Sequence, residues 1–155
     1  DDLESTYVKY NTGNLVIDSF LTNYDTVYEA NHIHFSVHLN VDCGQIPIKD
    51  YDLCIVLGNL LDNALQANDK IKILEREVLI EIETTENSKF RIHSENPLPE
   101  HDFDVQKNVL HHGYGLENMK KVVSENHGFV TIRTAEYFVI DILIPIIAEK
   151  DAFIH

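Results

Sequence analysis

The segment Leu57–Ala67 (LGNLLDNALQA) constrains this chain more than any other part of its sequence. The segment is strongly apolar, yet it contains two asparagines, Asn59 and Asn63, four positions apart. On a helix, residues with this spacing lie on one face, so both amides would emerge side by side. A buried amide without a partner costs about 1–3 kcal/mol, so the pair indicates some group that satisfies both side chains. That group is either another part of the protein, or a ligand such as a hydrated magnesium ion that carries the phosphates of a nucleotide.

Length and charge narrow the class of protein. The chain has 155 residues, of which 44% are hydrophobic and 25% charged, which is typical of one globular domain with a full core. The formal net charge of −14 repels nucleic acid and anionic membranes, so we expect neither as a direct ligand. A nucleotide is also an anion, and its binding would need a metal ion, a helix N-terminus or local cations. The chain begins at Asp1 rather than Met, and we expect it to be part of a longer protein.

Apolar periodicity predicts the secondary structure. The predicted elements are helices over about 13–30, 50–68 and 116–126, and strands over about 33–39, 78–82, 90–92, 129–134 and 137–144. Thr12 is expected to cap the first helix. The element order predicts an α/β (α+β) two-layer sandwich, in which three helices cover one face of a mixed sheet of about five strands.

Two further segments carry residues suited to a binding site. The alternation of strand 90–92 continues to Asn96, so this amide should face the core side as the strand ends. Residues 97–112 show no periodicity, and a loop of about 15 residues is often a functional lid. The loop leads into Gly113 and Gly115, which would let backbone N–H groups approach an anion at a helix N-terminus. A glycine pair alone more often marks a turn, so its meaning depends on the combination with the asparagine helix.

In this order the segments resemble the Bergerat (GHKL) ATP-binding fold. Gly58–Ala64 (GNLLDNA) resembles its N box, and His112–Met119 (HGYGLENM) resembles its second glycine box. Thr12–Asp18 (TGNLVID) is similar to the first helix of sensor histidine kinases of the peptide-pheromone (agr-like) class, which act in quorum sensing. The resemblance covers about residues 10–145.

The resemblance implies a role for each candidate residue. Asn63 would be the ligand of the Mg²⁺ that bridges the phosphates of ATP, and Asn59 would occupy the neighbouring catalytic position. A glutamate at that position activates water in the ATP-hydrolysing branches, whereas an amide cannot act as a general base, so the resemblance is to the kinase branch. The phosphates would contact the glycine turn of Gly113, Tyr114, Gly115 and Leu116. Lys107 lies in the lid region and either meets a phosphate or is simply an exposed lysine.

The sequence departs from the family where adenine is bound. Most members have Asp-x-Gly-x-Gly here, and the aspartate accepts a hydrogen bond from the adenine amino group. This chain has ENPLP over residues 95–99, without glycines. Agr-like kinases tend to have an asparagine in this box, which together with the strand alternation favours Asn96. Glu95 competes with it as the only carboxylate, and the missing glycines leave the tightness of ATP binding open.

The resemblance implies the catalytic domain of a two-component sensor histidine kinase, which transfers the γ-phosphoryl group of ATP to a histidine on a separate dimerisation domain. Residues 1–10 would end an upstream linker or dimerisation helix, 11–148 would form the GHKL domain, and 149–155 a C-terminal tail. The implied partners are ATP, that dimerisation domain and a response regulator. The parent protein would be a membrane-anchored bacterial homodimer with this domain in the cytoplasm. The alternatives are a degenerate GHKL domain that acts as an interaction module, and an anti-sigma-type serine kinase or ATPase of the same fold.

Overall fold

Three α-helices and five strands form the part of the chain that the computed structural model describes, residues 9–99 and 113–147. The helices are α1 (Leu15–Ala30), α2 (Asp50–Asn68) and α3 (Gly113–Glu125). The strands are β1 (His34–Asn40), β2 (Glu77–Thr84), β3 (Lys89–Pro97), β4 (Phe129–Thr134) and β5 (Tyr137–Pro145). The predicted helices and strands are all present, and the predicted two-layer fold is confirmed.

The sheet is mixed because its connections differ in length. Its strand order is β1-β2-β3-β5-β4. β1 pairs with β2 in parallel, since the chain passes through α2 between them, whereas β2–β3 and β4–β5 are antiparallel hairpins with short turns. β5 also pairs antiparallel with β3, which places it between β3 and β4.

The two faces of the sheet differ in polarity because side chains alternate along each strand. One face supplies the core beneath the helices through Ile80, Ile82, Phe90, Ile92, Ile142 and Ile144, all fully buried. The opposite face is open and carries charged residues such as Glu81, Arg91 and Asp141. Of the helices in the described ranges, none is long and apolar enough to cross a membrane.

The start of α1 differs from the prediction. Asn14 caps this helix, and its side-chain oxygen accepts a hydrogen bond from Ile17 N at 3.0 Å. The prediction that Thr12 is the cap was wrong. Thr12 instead donates its N–H and its hydroxyl to the buried carboxylate of Asp18, at 2.9 and 2.7 Å. Both residue types are good caps, so sequence spacing alone could not choose between them.

Candidate functional site

α2 carries the two predicted site asparagines and packs between α1 and α3. On the α1 side, Gly58 lies against the Phe20 ring. On the α3 side, Asn59 lies so close to Gly115 that a Cβ added to the glycine would be 3.0 Å from Asn59 Oδ1. A glycine at this position therefore allows the first turn of α3 to approach the amide. The fold thus brings together the two segments that the sequence analysis linked.

Asn59 is anchored to its own helix. Its Nδ2 donates to the carbonyl of Ile55 at 2.8 Å, one helical turn earlier. The bond holds the amide plane in place and leaves Oδ1 on the side of Gly115. Asn59 therefore presents an acceptor, and not a donor, toward the N-terminal end of α3.

Asn63 is the residue whose bonding is incomplete. Its Nδ2 atom is buried and has no hydrogen-bond partner among the residues that the structure describes. Such a group costs about 1–3 kcal/mol when it stays unsatisfied. Rotation of the amide exchanges Nδ2 with Oδ1, so this side chain can offer a donor to a phosphate oxygen or an acceptor to a cation. The side chain fits a ligand that carries both kinds of partner.

α3 begins at Gly113, so the two glycines form its first helical turn and not a separate turn before it. The first N–H groups of a helix have no partner within the helix, and together with the helix dipole they favour an anion. Leu116 is buried in the core, so only its backbone is available to a ligand at this end. Of Tyr114 only the backbone is described.

The two candidates at the end of β3 lie on opposite faces of the sheet. Asn96 pairs with Phe138 on the helix-covered face and is 2% exposed, and its Nδ2 donates to the carbonyl of Pro97 at 3.1 Å. Glu95 lies on the open face, where its carboxylate is 3.1 Å from Nε2 of His93. Asn96 therefore shares a face of the sheet with α2, whereas Glu95 does not. Lys107 lies outside the described residues.

His93 is the centre of a charge cluster on the open face. It is buried, with Nδ1 at 2.7 Å from Asp141 and Nε2 facing Glu95. Arg91 is 3.1 Å from the same Asp141 carboxylate. The cluster lies on the far side of the sheet from the asparagines and therefore does not contribute to the candidate site.

Sequence reasoning missed two tyrosines of α1 that bind α2. The hydroxyl of Tyr24 donates to the carboxylate of Asp62, and that of Tyr28 donates to the carbonyl of Leu61 at 2.6 Å. Burial, followed by the hydrogen bond with Asp62, raises the pKa of Tyr24 above its usual range, and burial likewise raises the pKa of Tyr28. Both hydroxyls therefore stay protonated and act as donors. The only sequence signal was the four-residue spacing of the tyrosines, which also fits an apolar stripe.

Comparisons with known proteins identify the family and the fold. The model of the GHKL domain family matches residues 48–145. The catalytic domain of histidine kinase ThkA, in a nucleotide-free form, is 18% identical with a TM-score of 0.63, over 84% of this chain and 91% of that one. Histidine kinase AdeS of Acinetobacter baumannii is 13% identical with a TM-score of 0.64, over 95% and 72%. The mycobacterial sensor histidine kinase MprB is 18% identical with a TM-score of 0.59, over 84% and 91%.

At these identities the similarity to solved structures shows a shared fold. A comparison with curated protein sequences gave no significant match.

Proposed function

Because this chain belongs to the GHKL domain family, we propose that it binds ATP with Mg²⁺ as the catalytic domain of a sensor histidine kinase. The observation that carries the proposal is the side-chain amide of the half-buried Asn63, whose buried nitrogen has no hydrogen-bond partner within the described ranges. This amide lies on the same helix face as Asn59, which contacts the first turn of α3. An anion with its counter-ion would satisfy the Asn63 amide, Asn59 and the N–H groups in the first turn of α3 at once.

Each residue of the site has a distinct task in this proposal. Asn63 holds the metal ion, and the backbone N–H groups of residues 113–116 bind the phosphates. When bound, Mg²⁺ neutralises phosphate charge and helps to orient the γ-phosphoryl group. The helix N-terminus also offsets the general repulsion from a chain with a net charge of −14. Asn59 cannot accept a proton, so the site holds no general base there to activate water, and the phosphoryl group is kept for a protein acceptor.

We assign the adenine end of the site to Asn96. Its burial on the helix-covered face supports this choice, because adenine must lie on the side of the sheet where α2 and α3 pack. Glu95 is directed to the other face and contacts His93, which argues against a direct contact with adenine. Lys107 is kept as a candidate phosphate contact from the lid.

The class of histidine kinase and the organisation of the parent protein are also part of what we propose. The agr-like, peptide-pheromone class depends on the segment Thr12–Asp18, in which the Asp18 carboxylate binds Thr12. The proposed organisation is an upstream linker or dimerisation helix ending within 1–10, the GHKL domain at 11–148 and a tail at 149–155. The phosphoacceptor histidine would lie on a dimerisation domain of the same membrane-anchored bacterial homodimer, and a response regulator would receive the phosphoryl group.

Calorimetry tests the binding step directly. The full 155-residue chain is titrated with a non-hydrolysable ATP analogue, once with Mg²⁺ and once with a chelator. We expect Asn63→Ala to lower the affinity with Mg²⁺ by roughly tenfold, the equivalent of about 1.4 kcal/mol, because a metal ligand is lost. The free energy of unfolding should stay equal or rise, because the substitution also removes a buried unpaired donor. Asn23→Ala, an exposed asparagine of α1, is the matched control.

The outcomes separate the alternatives. A wild-type chain that binds no analogue would refute the proposal and favour a degenerate domain that acts by interaction, as the missing glycines of residues 95–99 suggest. Release of inorganic phosphate from ATP without any acceptor would favour the ATPase alternative. Phosphorylation of an added dimerisation domain, with little free phosphate, is the result we expect.

A further inference from the structure

Two tyrosines of α1 bind α2 at neighbouring residues, immediately before Asn63. Tyr24 and Tyr28 lie one helical turn apart, so their side chains leave α1 on the same face. Their hydroxyls bind the carboxylate of Asp62 and the carbonyl of Leu61, respectively. One bond is to a side chain and the other to the backbone, so together they restrain both the rotation of α2 about its axis and its sliding along α1.

The tyrosine rings are themselves held in place. The rings of Tyr24 and Tyr28 have centroids 5.6 Å apart in an edge-to-face arrangement. Tyr28 packs in the same way against Phe35 of β1 at 4.8 Å, and Tyr24 stacks with Phe20 at 6.4 Å. Aromatic pairs with these geometries contribute beyond the area that they bury. The hydroxyls are therefore presented from a rigid row that extends from α1 to the sheet.

The orientation of α2 matters because its other side carries the site. Asn63 follows Asp62 by one residue, which is about 100° around the helix axis. It shares a face with Asn59, whose Oδ1 would lie only 3.0 Å from a Cβ added to Gly115. A side-chain tip lies about 5–6 Å from the helix axis, so a rotation of roughly 10° moves it by about 1 Å. A misplacement of that size is enough to impair a metal ligand.

We propose that Tyr24 and Tyr28 are positioning residues, which set the orientation of α2 and thereby hold the Asn63 amide where it meets Mg²⁺ and phosphate. This inference rests on the function proposed above. Both tyrosines act through α2, Tyr24 by way of the Asp62 carboxylate and Tyr28 by way of the Leu61 carbonyl. The inference differs from a simple packing role in one respect: it predicts an effect that depends on the metal ion.

The test compares single variants with a matched tyrosine. Tyr24→Phe and Tyr28→Phe keep the rings and remove the hydroxyls. Tyr137→Phe is the control, because this hydroxyl also binds a carboxylate, that of Glu77 at 2.7 Å, but its side chain lies on the open face of the sheet, opposite the helices. The affinity for the non-hydrolysable ATP analogue is measured with Mg²⁺ and with a chelator. Mg²⁺ should raise the affinity of the wild type, and we expect each α1 variant to reduce this gain in affinity by roughly three- to tenfold, the range of a net hydrogen bond. The control should leave the gain unchanged.

Asp62, which is exposed, supplies a second pair of variants. Asp62→Asn keeps an acceptor for the Tyr24 hydroxyl, and Asp62→Ala removes it. We expect Asp62→Ala to behave as Tyr24→Phe does, and Asp62→Asn to retain most of the gain from Mg²⁺. Equal affinities in all variants, or equal losses with and without Mg²⁺, would overturn the positioning role.

A measurement without nucleotide separates the failure of this inference from failure of the proposed function. The NMR resonance of the Asn63 side-chain amide is assigned by its absence from the spectrum of Asn63→Ala. It should shift in Tyr28→Phe and stay in place in Tyr137→Phe. If the wild type binds no nucleotide, the proposed function fails while this shift still supports the orientation of Asn63 by α1. An unshifted resonance would overturn the inference whatever the wild type binds.

Discussion

The contact between Gly115 and Asn59 predicts a substitution that separates binding from stability. In Gly115→Ala the new Cβ would lie 3.0 Å from Asn59 Oδ1, whereas ordinary contacts begin at 3.4 Å. The amide must therefore move by a few tenths of an ångström, against its hydrogen bond to Ile55. Because the contacted atom, Asn59 Oδ1, is the end of a side chain and not backbone, the fold can accommodate this shift. The cost should therefore appear as weaker binding at the site.

The substitution should change stability and affinity in opposite directions. Replacement of a helical glycine by alanine stabilises by up to about 0.5–1 kcal/mol, so the melting temperature of Gly115→Ala should change little or rise. The affinity for a Mg²⁺–ATP analogue should fall by roughly three- to tenfold, which corresponds to the loss of about one net hydrogen bond. Differential scanning calorimetry and isothermal titration on the same sample measure both quantities.

Gly58→Ala is the matched control on the opposite side of α2. There the new Cβ would lie 3.5 Å from the Phe20 ring, an ordinary contact. We expect an increase of about 0.5–1 kcal/mol in the free energy of unfolding, or roughly 1–4 °C in the melting temperature for a chain of this size, with unchanged affinity. If Gly115→Ala binds the analogue as tightly as the wild type, the reasoning that places Asn59 and the first turn of α3 in one site is refuted.

Three further predictions test the fold and its response to pH. Gly128→Ala would place a Cβ 2.6 Å from the backbone carbonyl of Leu143, so we expect a loss of about 1–3 kcal/mol in urea denaturation, and a wild-type midpoint would contradict it. Asp18→Ala leaves the N–H of Thr12 without its acceptor and should cost about 1–3 kcal/mol, with a smaller loss in Asp18→Asn. Burial raises the pKa of Tyr28 above the ordinary value of 10.0, so the unfolded chain loses this proton first and stability should fall as pH rises above that value. Tyr28→Phe should flatten that decline by up to about 1.4 kcal/mol per pH unit, and an identical slope would exclude the assignment.

The sequence alone determined the local structure and the polarity of each element. Periods of two and of three to four residues depend only on neighbouring side chains, so the order of helices and strands could be predicted. The alternation along β3 also placed Asn96 on the core face before any contact was known. Glycines followed by a helical pattern indicated where α3 begins, although the helix includes Gly113 and Gly115 in its first turn.

The tertiary structure decided which distant groups meet. Three features depend on how α2 packs between α1 and α3: Asn59 lies close to Gly115, the Asn63 nitrogen has no partner within residues 9–99 and 113–147, and Tyr28 binds the carbonyl of Leu61. A hydroxyl or an amide has many possible partners within one chain, and only packing selects among them. The sequence therefore predicted that two amides share a helix face, whereas the fold decided that the Asn59 amide is anchored and that the Asn63 nitrogen has no partner among the described residues.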